Sequence, residues 1–340
     1  MAEAMTIRAY AHFLVAIVYS QDYKFTADAS HLGIVYNTKS IKGGIQYPAR
    51  ETVATTYNLI IADLKESIPN YSNLVLKGPE YSYFSRNSTK ALLARVYLQK
   101  NDWANAYETA NDVITNSGVK LVPKENYLTE WVKTDLPVSE ILLEFSIPKD
   151  SEGTVGASMA SYFGYTSATN FGKYVASNDI VNLYENSDLR KQLFLTQPLS
   201  TLVNGVLSPV NYNFTKKFQN NAGYVAFRLS EMYLIRAEAN FRLGGSPVGA
   251  TPLADINRVR TRANASLYTT LTLDAILKER RFELAFEGHL IHDIKRNKET
   301  IVKTIGNDVR VYPYNSPKLI FPIPMRETDA NTQLVQNEGY

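Results

Sequence analysis

Residues 88–118, "STKALLARVYLQKNDWANAYETANDVITNSG", decide how the rest of the chain is read. Apolar residues recur at helical spacing on both sides of the polar pair Asn101-Asp102, so the stretch predicts two helices joined by a tight turn. Ser88 is the expected N-cap of the first helix, and Gly118 is the glycine stop of the second. Ala91 and Ala94 on one helix, and Ala106 and Ala110 on the other, stand where two helices would cross closely. Tyr97 and Trp103 flank the turn, and Trp103 and Trp131 are expected to be packing residues. Small residues at a crossing with aromatic residues around the turn make a tetratricopeptide-like pattern.

A second copy follows downstream. "FRLSEMYLIRAEANFRLGG" (227–245), a Gly-Gly-Ser-Pro break and "ADINRVRTRANA" (254–265) repeat the tyrosine-leucine pair and the spaced alanines, and a third helix starts near Thr272. Upstream, Ala4 to Tyr19 predicts a helix, and another runs from near Ala49 to before Pro69. Leu121 to Tyr224 is different: rich in Gly, Ser, Asn and aromatics, with one predicted strand at Ile141–Ile147 and one short helix at Asn178–Glu185. Long ordered loops of that kind are usually functional. The expected architecture is mostly α, with tetratricopeptide-like hairpins packed against an irregular, loop-rich region with few short strands. It is read as one domain over residues 1–340, with helices and first hairpin in 1–120, the variable ligand side in 121–224, and the second hairpin, third helix and tail in 225–340.

Composition narrows the function. Hydrophobic residues make up 45% and charged ones 20%, an ordinary globular balance. A net charge of +3 with scattered basic residues does not make a nucleic-acid surface. With no cysteine there is no disulfide, thiolate nucleophile or cysteine metal ligand. The run Ala9–Tyr19 has Glu3 before it, His12 within it and no A-x-A site after it, so it reads as an amphipathic helix rather than a secretory signal. No stretch reaches the roughly 18 apolar residues a bilayer span needs. The 23 tyrosines against 2 tryptophans are unusual, because a tyrosine in a loop offers a flat apolar face with a polar tip, suited to sugar or peptide contact.

The densest chemistry lies in "ERRFELAFEGHLIHDIKRN" (279–297). A metal site there is disfavoured, because His289 and His292 are three apart, with Leu290 and Ile291 where a zincin helix carries glutamate. Glu279, Glu283 and Glu287 form an i, i+4, i+8 column of like charges that needs cations to persist on one helical face. Arg280 and the neighbouring Arg258 and Arg262 are the expected partners, in a network that fixes register more than it adds stability. A paired-carboxylate glycosidase site is the functional alternative, and acids amid matching arginines fit it badly. There is no G-x-S-x-G nucleophile elbow and no phosphate-binding glycine loop, so the chain does not read as an enzyme.

The aromatic loops remain as candidate binding surface. Tyr23 and Tyr36 lie in the N-terminal loops, and Tyr162, Phe163, Tyr165 and Tyr174 lie in "MASYFGYTSATNFGKY" (159–174). Rings in loops either plug the core or line a recognition surface. The cluster at 150–175 is the better surface, since Gly, Ser, Ala and Thr surround it. The rings of Tyr36, Tyr162, Phe163 and Tyr165 are expected to be exposed.

Six motifs now carry a resemblance: "EAMTIRAYAHFLVAIVYSQDY" (3–23), "STKALLARVYLQKNDWANAYETANDVI" (88–114), "FRLSEMYLIRAEANFRLG" (227–244), "INRVRTRA" (256–263), residues 279–297, and "FPIPMRETDANTQLVQNEGY" (321–340). In this order the chain resembles the SusD/RagB family of Bacteroidetes outer-membrane nutrient-binding lipoproteins. The closing motif is the most specific, with Ile323-Pro324, Glu327 and Gln336-Asn337-Glu338-Gly339-Tyr340. The resemblance implies a helical fold with an irregular ligand-binding side, no catalysis and no cofactor. It implies capture of oligosaccharides, or in some members peptides, for a SusC-like TonB-dependent transporter. It also implies a cell-surface location on the outer membrane, through a lipidated cysteine upstream of residue 1, so contact with the membrane would be through that anchor alone. Leu290 and Ile291 depart from the family's arginine and aromatic after Glu-Gly-His. An intracellular tetratricopeptide adaptor is the reading from another class.

Overall fold

The computed structural model describes residues 1–39, 43–44, 46–72, 79–131, 139–145, 159–218, 223–305 and 308–340. In chain order, α1 is Ala2–Tyr19, α2 Val53–Ser67, α3 Arg86–Lys100, α4 Trp103–Asn116 and α5 Tyr127–Trp131. Then come β1 Ile141–Phe145, α6 Met159–Phe163, β2 Tyr165–Ser167, β3 Asn170–Phe171 and α7 Asn178–Leu183. β4 Phe194–Val203, β5 Val206–Thr215 and β6 Tyr224–Arg228 precede α8 Leu229–Leu243, α9 Pro252–Arg262 and α10 Leu273–Glu283. The chain closes with α11 Leu290–Arg296, β7 Ile301–Ile305, β8 Asp308–Tyr312 and α12 Met325–Ala330. Helices dominate and the strands form short two-stranded pieces, the fold class that the helical periodicity predicts.

Two compact units divide these elements. One comprises Met1–Val75, Phe84–Thr109 and Gly288–Tyr340; the other comprises Leu76–Tyr83 and Ala110–Glu287. In the first, α1, α2 and α3 pack through Phe13, Tyr57, Ile60, Leu64 and Leu92, all buried. A knot of hydroxyls joins the same three helices: Thr6 Oγ1 lies 3.1 Å from both Ser67 Oγ and Thr89 Oγ1. Buried hydroxyls satisfied by one another avoid the cost of an unpaired polar group. The C-terminal motif is a clip in this unit, because the Asn337 amide donates to the carbonyls of Tyr19 and Phe321, both at 2.8 Å.

In the second unit β1 pairs antiparallel with β6, Ile141 opposite Arg228, and β6 runs directly into α8. α8, α9 and α10 share a core of Leu234, Ala237, Ile256, Ile276 and Leu284. A second core gathers Tyr127, Trp131, Ile141, Leu193, Phe218 and Val225. Trp131 is therefore a packing residue, whereas Trp103 is half-buried.

Several boundaries differ from the sequence reading. The second helix begins at Val53 rather than near Ala49, because Thr52 Oγ1 accepts the Thr55 N–H at 3.0 Å and caps it there. Ser85, not Ser88, is the N-cap of α3; its Oγ accepts the Ser88 N–H at 3.2 Å, while Ser88 Oγ accepts the Ser85 N–H at 2.8 Å, a reciprocal capping box. The last two residues of the predicted strand, 146 and 147, lie outside the described residues. The expectation of one strand in the variable region is corrected by β4 and β5, a ten-residue-per-strand hairpin turning on Asn204 and Gly205, both at positive φ. β2 and β3 form a further small pair, Tyr165 opposite Phe171. Finally, α10 ends at Glu283, and a turn over residues 284–288 separates it from α11, so the predicted third helix does not continue through Glu287.

Candidate functional site

The aromatic loop is built by close backbone approach in the second unit. Gly164 N–H closes the end of α6 on Ala160 O at 2.8 Å, Gly172 N–H donates to Gly164 O at 2.7 Å, and Tyr174 N–H donates to Tyr162 O at 3.1 Å. A side chain at Gly172 would place its Cβ 2.5 Å from Tyr162 O, closer than any Cβ can sit, so glycine is required for the two chain segments to meet. The result sets Tyr162 and Tyr174 side by side with ring centroids 6.2 Å apart and planes tilted by 34°. Both rings are exposed, at 40% and 58%, and Phe171 beside them at 43%.

The other two predicted rings of this loop face inward. Phe163 is half-buried, 6.0 Å from Tyr174 and 5.3 Å from Phe286 at 67°. Tyr165 is half-buried and packs 5.2 Å from Phe214, which is fully buried. Their expected exposure is corrected: the alternation of β2 and the short α6 turn both inward, while Tyr162 and Tyr174 stay exposed. Phe171, which also packs on Phe214 at 6.1 Å, is the exposed ring left out of the candidate set.

The N-terminal candidates belong to the first unit. Tyr36 is half-buried; it stacks on His12 at 4.0 Å and donates its hydroxyl to Asp63 Oδ2 at 2.6 Å. Burial first, then the Asp63 carboxylate, pushes its phenol well above the ordinary tyrosine range. Arg8 grips the same carboxylate through two bonds of 2.7 and 2.5 Å. Tyr36 is thereby a structural tie between α1 and α2, and its expected exposure is corrected. Tyr23 is half-buried against Tyr57 at 5.1 Å, with the Lys100 ammonium 5.8 Å from its ring.

The charge-dense motif closes a buried ion-pair network in the second unit. Glu283 accepts from Arg228 at 2.5 Å, from Arg190 at 3.1 Å and from Arg262. Glu279 binds Arg190 at 2.6 Å and Arg260 at 2.8 Å, and Glu287 binds Arg228 at 2.7 Å and Lys217. Glu140 completes the cage by accepting from Arg228 at 2.6 Å and Arg262 at 2.9 Å. Burial alone would push the Glu283 carboxyl up; the surrounding cations, Arg262 and Arg228 foremost, hold it well below the ordinary carboxylate range. These four carboxylates are buried and already paired with arginine or lysine, an arrangement that joins chain segments to one another rather than facing solvent.

Two members of the predicted network are placed differently. Arg258 is exposed and lies over the Tyr233 ring at 5.6 Å; Arg260, two residues further on and midway within the expected i, i+4 pair, takes the inward position. Arg280 is buried and faces Glu238 of α8 at 3.7 Å rather than Glu283. Glu287 joins the network from the turn after α10 and not from its helical face. Arg190, Lys217, Arg228 and Glu140 arrive from segments with no sequence spacing relation to the motif, which is why the sequence does not point to them.

His289 is the N-cap residue of α11, and His292 is half-buried, lining one small cavity with Ala16, Ile17, Tyr57 and Gln99, its imidazole pushed down to about 4 by burial and by Lys295. Among the described residues no group of three His, Cys, Asp or Glu side chains is arranged to hold a metal ion, and no helix is long and apolar enough to cross a membrane.

Two family models match the two ends of the chain. A family model described as the SusD family matches residues 202–340, and one described as starch-binding, associating with outer membrane, matches residues 1–98. A SusD-like protein of Bacteroides ovatus is 25% identical over 84% of this chain and 57% of its own length. The starch-binding protein SusD of Bacteroides thetaiotaomicron is 32% identical over 48% of this chain and 31% of its own length. The chain thus spans less than two thirds of either relative. A crystal structure of a SusD superfamily protein from Bacteroides vulgatus superimposes with a TM-score of 0.84 at 26% identity, covering 100% of this chain and 77% of that one.

Proposed function

The chain belongs to the SusD family, and on that premise we propose that it is a non-catalytic glycan-binding protein whose ligand stacks on Tyr162 and Tyr174. The observation that carries this reading is the exposed ring pair, 6.2 Å apart, with Phe163 packed behind Tyr174. Sugar rings present flat C–H faces that pair with aromatic faces, and the tyrosine hydroxyls and nearby Asn170 and Lys173 supply polar groups for sugar hydroxyls. Phe171 extends the apolar surface. Phe163 supports Tyr174 from within and Tyr165 packs inward on Phe214, while Tyr23 and Tyr36 hold the other unit together.

The wider role proposed is capture of oligosaccharides at the cell surface for a SusC-like TonB-dependent transporter, with a lipid anchor to the outer membrane. The match to a family described as associating with the outer membrane supports that location. The name of the Bacteroides thetaiotaomicron relative supports a polysaccharide ligand.

Affinity electrophoresis in gels cast with soluble starch, laminarin, xylan or galactan tests the proposal. Retention by at least one polysaccharide is expected, weakened roughly tenfold by Tyr162→Ala or Tyr174→Ala, with melting temperature nearly unchanged. Retention that survives both substitutions places the site elsewhere. Retention by none, with binding to a peptide mixture instead, replaces the glycan with a peptide.

A further inference from the structure

Phe286 stands in the turn after α10 with φ of 66°, in the left-handed region that glycine adopts without strain and a bulky side chain does not. The ion-pair network holds it there from both flanks. Lys217 Nζ donates to the carbonyls of Glu283 at 3.0 Å and Ala285 at 3.2 Å, and Arg228 Nη2 donates to Glu283 O at 2.6 Å. On the other flank the Glu287 carboxylate is gripped by Arg228 and Lys217. A strained residue persists only where its surroundings over-determine it, and such strain collects at functional sites.

The strained residue points its ring at the ligand surface. Phe286 meets Phe163 edge-on at 5.3 Å, Phe163 lies 6.0 Å from Tyr174, and Tyr174 neighbours Tyr162. We infer that Phe286 is a positioning residue for the sugar-binding rings: the buried charge network fixes its ring, and that ring fixes Phe163 and Tyr174 without touching ligand. The inference rests on the glycan-binding reading above. It gives the network a task beyond locking helices together, since rings held in place before the ligand arrives lose less freedom on binding. A ring that served only as filler could be replaced by any side chain of similar volume.

The test compares Phe286→Leu, Phe286→Tyr and Phe286→Gly in the full chain. Two measurements are made: retention on whichever polysaccharide retains the unsubstituted protein, and nitration of Tyr174 by tetranitromethane with no sugar present, mapped by peptide mass spectrometry. Leucine keeps apolar bulk without a flat face, and glycine fits the left-handed backbone, so loss of affinity in the glycine variant does not depend on an unfolded turn. Retention about fivefold weaker and faster nitration are expected for leucine and glycine, with tyrosine restoring both. If Phe286→Leu binds and is nitrated like the parent while Tyr174→Ala loses retention, the positioning role is overturned and the glycan reading stands. If no polysaccharide retains the parent, the glycan reading fails, and equal nitration rates would overturn the positioning role as well.

Discussion

Arg258, Arg260 and Arg262 sit within five positions of one helix and have three different fates. Arg260 and Arg262 are buried against Glu279 and Glu283, while Arg258 is exposed on the Tyr233 ring. Charge type and spacing could identify the helix that faces the glutamates, because "NRVRTR" offers a cation at every second position. They could not choose among the three, since that choice depends on the rotation of α9 about its axis. Removing one partner of a buried pair leaves the other charge unpaired, so Arg262→Ala should destabilise the protein by about 3–5 kcal/mol. Arg258→Ala should change stability by no more than about 0.5 kcal/mol, the usual range for an exposed site. Urea unfolding of the two variants checks this, and equal losses would mean that burial does not rank these arginines. The same limit applied to the aromatic loop. The sequence shows which segment carries the rings, but which rings face out follows from Gly172, whose backbone approach to Tyr162 fixes the fold of the loop.

Among elements, the helices were the legible part and the long hairpin was not. The alanines of α3 and α8 and the polar break between α3 and α4 are local signals, and local signals set helices. β4 and β5 carry a hairpin signal too, Asn204-Gly205 at the turn, with no charged residue anywhere between Lys191 and Lys216. Pro198 and Pro209 within the strands argue against a sheet, and both are tolerated because a two-stranded ribbon leaves one edge of each strand without a ladder partner. Helix starts were legible only to within a turn. Ser88 is the cap that the sequence predicts, and the reciprocal bonds make Ser85 the cap. Ser85→Ala should therefore cost about 1 kcal/mol of stability. Ser88→Ala should also cost stability, because it removes the acceptor for the Ser85 N–H. A Ser85→Ala variant as stable as the parent in thermal unfolding would show that the capping box carries no energy.

At the scale of the whole molecule, the two units meet acid through different groups. In the first, His292 is half-buried and neutral; its imidazole, ordinarily at 6.5, is pushed down to about 4 by desolvation and then by Lys295 and Arg95, with Asp293 opposing. The unfolded chain therefore binds a proton on this histidine at a higher pH than the folded one does. Stability is fully present above about pH 6.5 and falls as pH drops towards 4, and a shift of that size corresponds to about 3 kcal/mol. In the second unit, Glu283 and Glu287 are held below the ordinary carboxylate range against the push of burial, so the stability they contribute is lost only below the unfolded carboxylate range, as pH falls through their folded values. The two losses occupy different windows. Lys295 acts with the same sign on the alkaline side. Burial lowers its ammonium from 10.5 to about 8, so its charge opposes folding at neutral pH and stability rises between about pH 8 and 10.5. Urea unfolding of His292→Gln across the acid range isolates the first effect. The variant should lose stability only below about pH 4.5, where carboxylates begin to protonate, while the parent weakens from pH 6.5 downward. A parent and variant with parallel acid profiles would show that His292 is not the group that titrates, and would move the acid sensitivity of the first unit to its carboxylates.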